Sequence, residues 1–494
     1  MISELPWQWY TAQAWQELRA CLIDARTGPS AITQIARLEL WNFWLSVEDQ
    51  CGVRVEEQLE KVFPAWVASL NKKRDLHISL AAAALLSQSG RYGQFNKQLL
   101  LRAISISKKY SGLDHPDVAL SLNNLAGLYN DQSDFAKALP MFERAFAICE
   151  KALGKDHPDF VTILTNLASL YGEQGDYPKA LPMLVRALAI REKALGKDHP
   201  DFATTLNNLA LLYKAQGKYV KALPMLVRAL AINEKALGKN HPAYATAFNN
   251  LALLYKAQGD YPKALPMYVR ALEIYEKALG KNHPAYATAF NNLALLYKAQ
   301  GDYPNALPMY VRTLAIREKA LGKDHPDVAT TLNNLAGLYF AQGDYPKALR
   351  LFKRALAINE KALGKDDPNY AKYLGNLAQF YYAQRDFKNA LPLCERALVI
   401  HENALGKYHP DVAISLNNLA LLYCDQGAYE KALPMYVRSL AISEKALGKN
   451  HPSVGISLNN YAACLEALGK TKEAAAARAR AKKIQDRIDR KSGK

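Results

Sequence analysis

Apolar side chains recur every three to four positions along most of the chain, and the stretch from 242 to 280 shows the pattern cleanly. Tyr244, Phe248, Leu251, Ala252 and Tyr255 fall on one stripe at about 100° per residue and predict a core-facing helix side. Thr246, Asn249, Asn250, Leu253 and Ala257 fall on the other side. Pro242 suits a first helical position, with His241 or Asn240 before it to cap the free amides, and the helix is expected to run to Gln258 and stop at Gly259. Asp260 or Tyr261 then caps a second helix. It has Pro262 near its start, runs through Ala264, Tyr268, Ala271 and Leu272 to Leu279, and ends at Gly280, where a left-handed residue fits. The pattern therefore predicts a pair of antiparallel helices.

This pair is repeated. His-Pro or Asp-Pro recurs every 42 residues, at His115, His157, His199, His241, His283, His325, Asp367, His409 and His451, so that units start at 116, 158, 200, 242, 284, 326, 368, 410 and 452. A constant period means that each unit buries its apolar face on the next, and the fold grows by stacking. Residues 242–283 and 284–325 are nearly identical, which points to recent duplication. Pro140, Pro182, Pro224, Pro266, Pro308 and Pro434 lie past the first turn of the second helices, where each removes a backbone bond and is expected to bend its helix slightly; Arg350 breaks that pattern. The unit at 368–409 has Asp367 for His, Gly375 for Asn and Arg385 for Gly, so local irregularity and a hinge are expected there.

Leu251-Ala252, Tyr255, Gly259, Tyr261, Ala264, Tyr268 and Ala271 match the spaced pattern of the tetratricopeptide repeat, which the chain resembles over about 116–468. The family period is 34 residues. The longer period here, with its Leu-Gly-Lys-(Asp/Asn)-His-Pro loop, looks like the subtype of kinesin light chains and nephrocystin-type proteins. The resemblance implies an all-α fold, a right-handed α-solenoid whose first helices line a concave groove. It also implies that an asparagine at the position of Asn250 contacts a bound peptide's backbone or carboxylate. It says little about which partner is bound.

The ends differ. All six tryptophans lie within 1–75, where the period is absent and three helices are expected to cap the stack. The segment ELPWQWYTAQAWQELRACL resembles the region before the sensor repeats of nephrocystin-like signalling ATPases, which implies a sensor arm acting with a separately encoded ATPase. A kinesin light chain-like adaptor is a further reading, although 1–75 carries no heptad coiled coil. Residues 76–115 read as a degenerate repeat, with Arg102-Ala103 matching Arg144-Ala145. Residues 469–494 read as a basic capping helix, since a terminal repeat needs a polar outer face.

The net charge of +17 raises the question of nucleic acid. Much of the charge sits in the second helices and the GKDHP or GKNHP loops, and the aromatic residues are taken up by helix packing, so no stacking platform for single strands is expected. The six cysteines are scattered without a CxxC pair, which fits free thiols in a reducing compartment. The opening MISELPWQWY lacks the basic-then-apolar character of a signal peptide, no long apolar run occurs, and a soluble cytoplasmic protein is expected. No catalytic constellation, cofactor site or metal site is predicted. Leu468-Gly469-Lys470-Thr471 imitates the end of a phosphate loop, but Cys464 stands where the first glycine is needed. The loop histidines, one to a unit, are too widely spaced to converge on zinc and read as helix caps.

The candidate site is the face opposite the core. Asparagine recurs there as Asn208, Asn250, Asn292 and Asn334, preceded by Asn207, Asn249, Asn291 and Asn333. A helix interior gives asparagine no advantage, so the recurrence needs another cause. Two readings stand: hydrogen bonds to the neighbouring helix, or an amide ladder holding the backbone of an extended peptide. Lys214, Lys256 and Lys298 follow on three consecutive units, beside Leu211, Leu253 and Leu295, which are expected to be exposed. Amides, ammonium groups and an apolar strip together fit an acidic peptide with apolar residues.

Overall fold

The computed structural model describes residues 94–131 and 134–492, together with Leu70, Leu76, Ser79, Leu80 and Ala83. The expected cap over 1–75 thus lies outside the described residues apart from Leu70. Two compact units are present, one formed by 1–132 with 137–163 and the other by 133–136 with 164–494.

The unit at 242 shows how the local sequence closes each helix. His241 is the N-cap, with extended backbone, and its Nδ1 accepts the Ala243 N–H at 3.1 Å. Pro242 occupies the first turn, and the helix Pro242–Ala257 ends at Gln258 and Gly259, whose φ of 78° belongs to the left-handed region. Asp260 then caps Tyr261–Leu279 by accepting the Lys263 N–H at 3.3 Å, and its carboxylate also meets Lys263 Nζ at 2.7 Å. Gly280 ends that helix by donating its N–H to Glu276 O at 3.0 Å. These ends fall where the sequence pattern puts them.

The first unit contains α1 (Gln94–Ser111), α2 (Pro116–Asp131) and most of α3 (Phe135–Leu153), and α4 (Phe160–Glu173) opens at its edge. In the second, first and second helices alternate: α5 (Tyr177–Leu195), α6 (Pro200–Ala215), α7 (Tyr219–Leu237), α8 (Pro242–Ala257), α9 (Tyr261–Leu279), α10 (Pro284–Ala299) and α11 (Tyr303–Leu321). They continue as α12 (Pro326–Ala341), α13 (Tyr345–Leu363), α14 (Pro368–Ala383), α15 (Phe387–Leu405), α16 (Pro410–Asp425), α17 (Tyr429–Leu447), α18 (Pro452–Ala467) and α19 (Thr471–Ser492). Among the described residues there is no strand, and the architecture is an all-α solenoid.

Small side chains set the packing. Ala252, Ala264 and Ala271 are fully buried, so the helices approach closely around Tyr268, which is also wholly enclosed. The core stripe differs in detail from the sequence expectation: Leu254 is buried, whereas Phe248 and Tyr255 are half-buried and pack on its margin.

The expected irregularity at 368–409 is not found. α14 and α15 keep the lengths of their counterparts, because Asp367 replaces His as a cap, accepting the Asn369 N–H at 2.7 Å. Arg385 takes the left-handed turn position with φ 57°, where the neighbouring units have glycine. The second helices run unbroken through their prolines, Pro392 included, and α13, with Arg350 there instead, has the same length.

In the larger unit the stack curls until distant repeats touch. His409 Nε2 lies 2.8 Å from the carbonyl oxygen of Glu173, 236 residues away, and so donates to it. A Cβ at Gly175 would lie 2.6 Å from Pro410 Cδ, and one at Gly217 would lie 2.7 Å from His451 Cδ2, so both turns need glycine for the approach as well as for their positive φ.

Candidate peptide-binding groove

Successive first helices touch directly. Asn292 Nδ2 donates to Asn249 Oδ1 at 3.0 Å, Asn334 to Asn291 at 3.0 Å, Asn376 to Asn333 at 3.0 Å and Asn460 to Asn417 at 3.2 Å. The second helices reach one another by longer arms, Arg354 to Glu318 and Arg438 to Glu402. The first helices are therefore the more closely spaced set and line the inner, concave side of the curved stack.

Asn249, Asn291, Asn292, Asn333 and Asn334 are thus engaged in holding helices together, whereas no such bond joins Asn250 to Asn207. Each bond uses one N–H of the donating amide and one lone pair of the accepting one, and an amide offers two donors and an oxygen with two lone pairs, so capacity for a ligand remains. Asn207, Asn250 and Asn291 are buried, more deeply than an exposed ladder would require, while Asn249, Asn292, Asn333 and Asn334 are half-buried. Asn208 is half-buried too, and the Oδ1 of Asn207 is buried without a hydrogen-bond partner. Leu211, Leu253 and Leu295 are half-buried rather than exposed; Leu253 and Leu295 pack on the margins of the core clusters around Tyr268 and Tyr310.

Lys214, Lys256 and Lys298 hold equivalent places on α6, α8 and α10, at the same end of the groove. All three are half-buried, and burial pushes each ammonium pKa down; Lys256 is pushed further by the charges of Lys214 and Lys298 on either side. Among the described residues none of the three forms an ion pair. The outer rim behaves differently. Lys197, Lys239, Lys281 and Lys365 in the loops pair with Glu192, Glu234, Glu276 and Glu360 at 2.9–3.2 Å. These four loop lysines each have a carboxylate partner, whereas Lys214, Lys256 and Lys298 stand beside one another without one.

Two features of the groove escaped sequence reasoning. Gly337 stands on α12 where the three preceding units have leucine, and Lys298 Nζ lies over it, 2.6 Å from where a Cβ would be. Phe340 and Tyr382 follow in the place of the lysines, so the row changes from cationic to aromatic. A column-by-column alignment of the copies would have shown both.

The other candidates take structural places. The imidazoles cap their own helices through Nδ1, at 3.0–3.2 Å from the backbone N–H two residues on, as at His199, His241 and His409. Leu468, Gly469 and Lys470 form the turn between α18 and α19, and Thr471 opens α19. On α19, Arg478 makes a two-pronged pair with Glu466 at 2.7 Å, so part of the terminal basic charge is locally matched. No described helix is long and apolar enough to cross a membrane.

Nine overlapping matches to the family model described as Tetratricopeptide repeat run from 97–151 to 413–486. The chain belongs to the tetratricopeptide repeat family. No curated protein matches it. Among solved structures, BtubC (BKLC) from P. vanneervenii is 28% identical over 48% of this chain and 92% of that one, with a TM-score of 0.37. A putative kinesin light chain from Podosopora anserina with nearly identical TPR-like repeats is 29% identical over 42% of this chain and 97% of that one, with a TM-score of 0.35. A Rap protein in complex with competence and sporulation factor is 18% identical over 75% of this chain and 98% of that one; its TM-score of 0.52 bears on the fold alone. In this tetratricopeptide repeat protein the recurring histidines cap helices and several of the asparagines bond one first helix to the next, whereas Lys214, Lys256 and Lys298 form no ion pair among the described residues.

Proposed function

We propose that the protein is a non-catalytic interaction scaffold that holds an acidic peptide segment with apolar residues in its concave groove. The observation that carries this reading is the contrast in charge: Lys197, Lys239, Lys281 and Lys365 on the rim are paired, whereas Lys214, Lys256 and Lys298 are half-buried without carboxylate partners. An acidic ligand would supply the missing counter-charges, while Leu211, Leu253, Leu295 and Phe340 offer apolar contact and the spare amide capacity of the asparagines meets the ligand backbone. Affinity capture with mass spectrometry identifies the segment, and calorimetry with that segment tests the site. Changing all three lysines to alanine is expected to weaken binding mainly at low salt, since exposed charge attraction is screened over about 10 Å at 0.1 M. Unchanged affinity and unchanged salt dependence would exclude the column as the binding site.

A further inference from the structure

The curled stack of the larger unit meets itself at two places that differ in charge. Where the turn at Gly175 meets the start of α16, His409 donates to the carbonyl of Glu173, and Lys372 pairs with Asp411 at 3.2 Å. One repeat further along, the turn at Gly217 meets His451 at the start of α18, and a cleft of about 430 Å³ lies at the contact. Lys218 from the α6–α7 turn, Lys449 from the α17–α18 loop and Arg487 from α19 line it, and no carboxylate does. Local changes in the sequence produce this excess of positive charge. Asp176, Asp260, Asp302, Asp344 and Asp386 cap second helices, whereas Lys218 stands in that place and gives no side-chain cap. Loop lysines such as Lys239 pair with a glutamate in the preceding helix, but Glu444, the equivalent partner for Lys449, is held by Arg480 at 2.6 Å. Lys235 pairs with Asp198 across its junction, and the matching residues of the last junction are Arg487 and the uncharged Asn450. Among the described residues Lys218, Lys449 and Arg487 form no ion pair.

We propose that this cleft binds a small polyanion carrying at least two phosphate groups. Its size falls within the range of about 300–1,000 Å³ that small-molecule sites occupy. A single phosphate ester carries about −1.5 to −2 at pH 7, so three cations call for two of them. Cations that converge from three separate stretches of chain suit phosphate oxygens, which point in several directions, better than a planar carboxylate, and the Arg487 fork matches a pair of those oxygens. His451 Nδ1 accepts the Ser453 N–H at 3.2 Å, so the neutral ring keeps its proton on Nε2 as a further donor. Tyr219 and the exposed Val220, which takes the place of Pro178 and Pro262, add an apolar edge. A ligand here joins segments between five and six repeats apart and offsets the repulsion between their cations, so binding also holds the curl. The cleft is separate from the lysine column of the groove and does not depend on the acidic-peptide reading.

The test is calorimetry on the full chain with inorganic pyrophosphate, at a fixed ionic strength of about 0.15 M, and with citrate as a polycarboxylate comparator. One pyrophosphate per chain is expected, bound roughly tenfold more tightly than citrate. Lys218→Asp restores the cap that other units use, so this variant is expected to melt no lower than the parent. Its affinity for pyrophosphate is expected to fall by about tenfold or more, because a carboxylate replaces a cation in the cleft. Lys239→Gln, on the outer rim, is expected to leave the affinity unchanged. Equal losses in the two variants, or several equivalent weak sites in the parent, would show adventitious binding to a basic surface and overturn the site, as would no binding at all. Citrate bound as tightly as pyrophosphate would overturn the assignment to phosphate.

Discussion

Three buried tyrosine hydroxyls, on Tyr268, Tyr310 and Tyr436, find no oxygen or nitrogen partner, and burial pushes their pKa values up. The equivalent buried position is Phe142, Leu184, Leu226, Phe352 or Cys394 in other units, so the packing there does not depend on a hydroxyl. Tyr268→Phe is therefore expected to stabilise the protein by roughly 1 kcal/mol, because an unsatisfied buried hydroxyl carries a desolvation penalty; a lower melting temperature would show that the hydroxyl is satisfied. The capping histidines make the opposite point. Their Nδ1 accepts a backbone N–H and must stay unprotonated, and burial pushes the His283 pKa down to about 4, with His241, His409 and His451 also lowered by burial. The unfolded chain binds these protons first as pH falls, so stability present above about pH 6.5 is lost progressively toward pH 4. Asp367, with its pKa raised by burial to about 6, runs the other way, since the folded state binds its proton more tightly and loses stability as pH rises through that window. His283→Asn keeps a good cap without the titration. Its melting temperature is expected to match the parent at pH 7.5 and exceed it at pH 5; an unchanged difference at both would place the acid sensitivity elsewhere.

At the scale of an element, the helix pair tolerates large sequence change provided that its ends are closed. Asp for His at the cap and Arg for Gly at the turn leave α14 and α15 with standard lengths, although Arg385 holds a backbone conformation that non-glycine residues reach at a penalty. Arg385→Gly is expected to stabilise by roughly 0.5–1 kcal/mol, measured by denaturant unfolding, after allowing for the greater freedom of glycine in the unfolded chain. No gain would mean that the arginine side chain compensates for its own strain. What varies between copies is a buried position near the end of the second helix. Tyr275 meets Thr246 there, Arg317 donates to Thr288, Thr331 and the carbonyl of Asp327, and His401 meets Ser415 and the carbonyl of Pro368. Near-identical units thus acquire distinct junctions with the unit that follows.

At the scale of the larger unit, the hydrogen bond from His409 to Glu173 ties together segments between five and six repeats apart. His409→Asp should retain the cap, as Asp367 does, but replaces the donor with a carboxylate facing a carbonyl. It is expected to increase the radius of gyration by X-ray scattering while leaving helical circular dichroism unchanged; an unchanged radius would show that the contact does not hold the curl. Deletion of 284–325 is expected to leave a folded, shorter solenoid, since the flanking junctions are nearly equivalent, and it brings His451 to the place of His409 opposite Glu173. Loss of cooperative melting in that deletion would count against independent stacked units.

The repeat, the helix boundaries and the capping residues were legible in the sequence because each depends on contacts within a few residues: a proline at the first turn, an imidazole two residues from the N–H that it caps, a glycine in the left-handed region. Copies at a fixed period then made stacking the one arrangement that could bury every apolar face. The role of the asparagines was not legible, because an amide bonded to the next helix and an amide waiting for a peptide have the same spacing. Nor could the pattern separate paired lysines from unpaired ones: Lys281 and Lys298 are alike as letters, and only the folded stack brings Glu276 to the first and leaves the second beside other lysines. The meeting of His409 with Glu173 belongs to the tertiary structure altogether. It depends on a small rotation accumulated at every junction, and no single unit contains it.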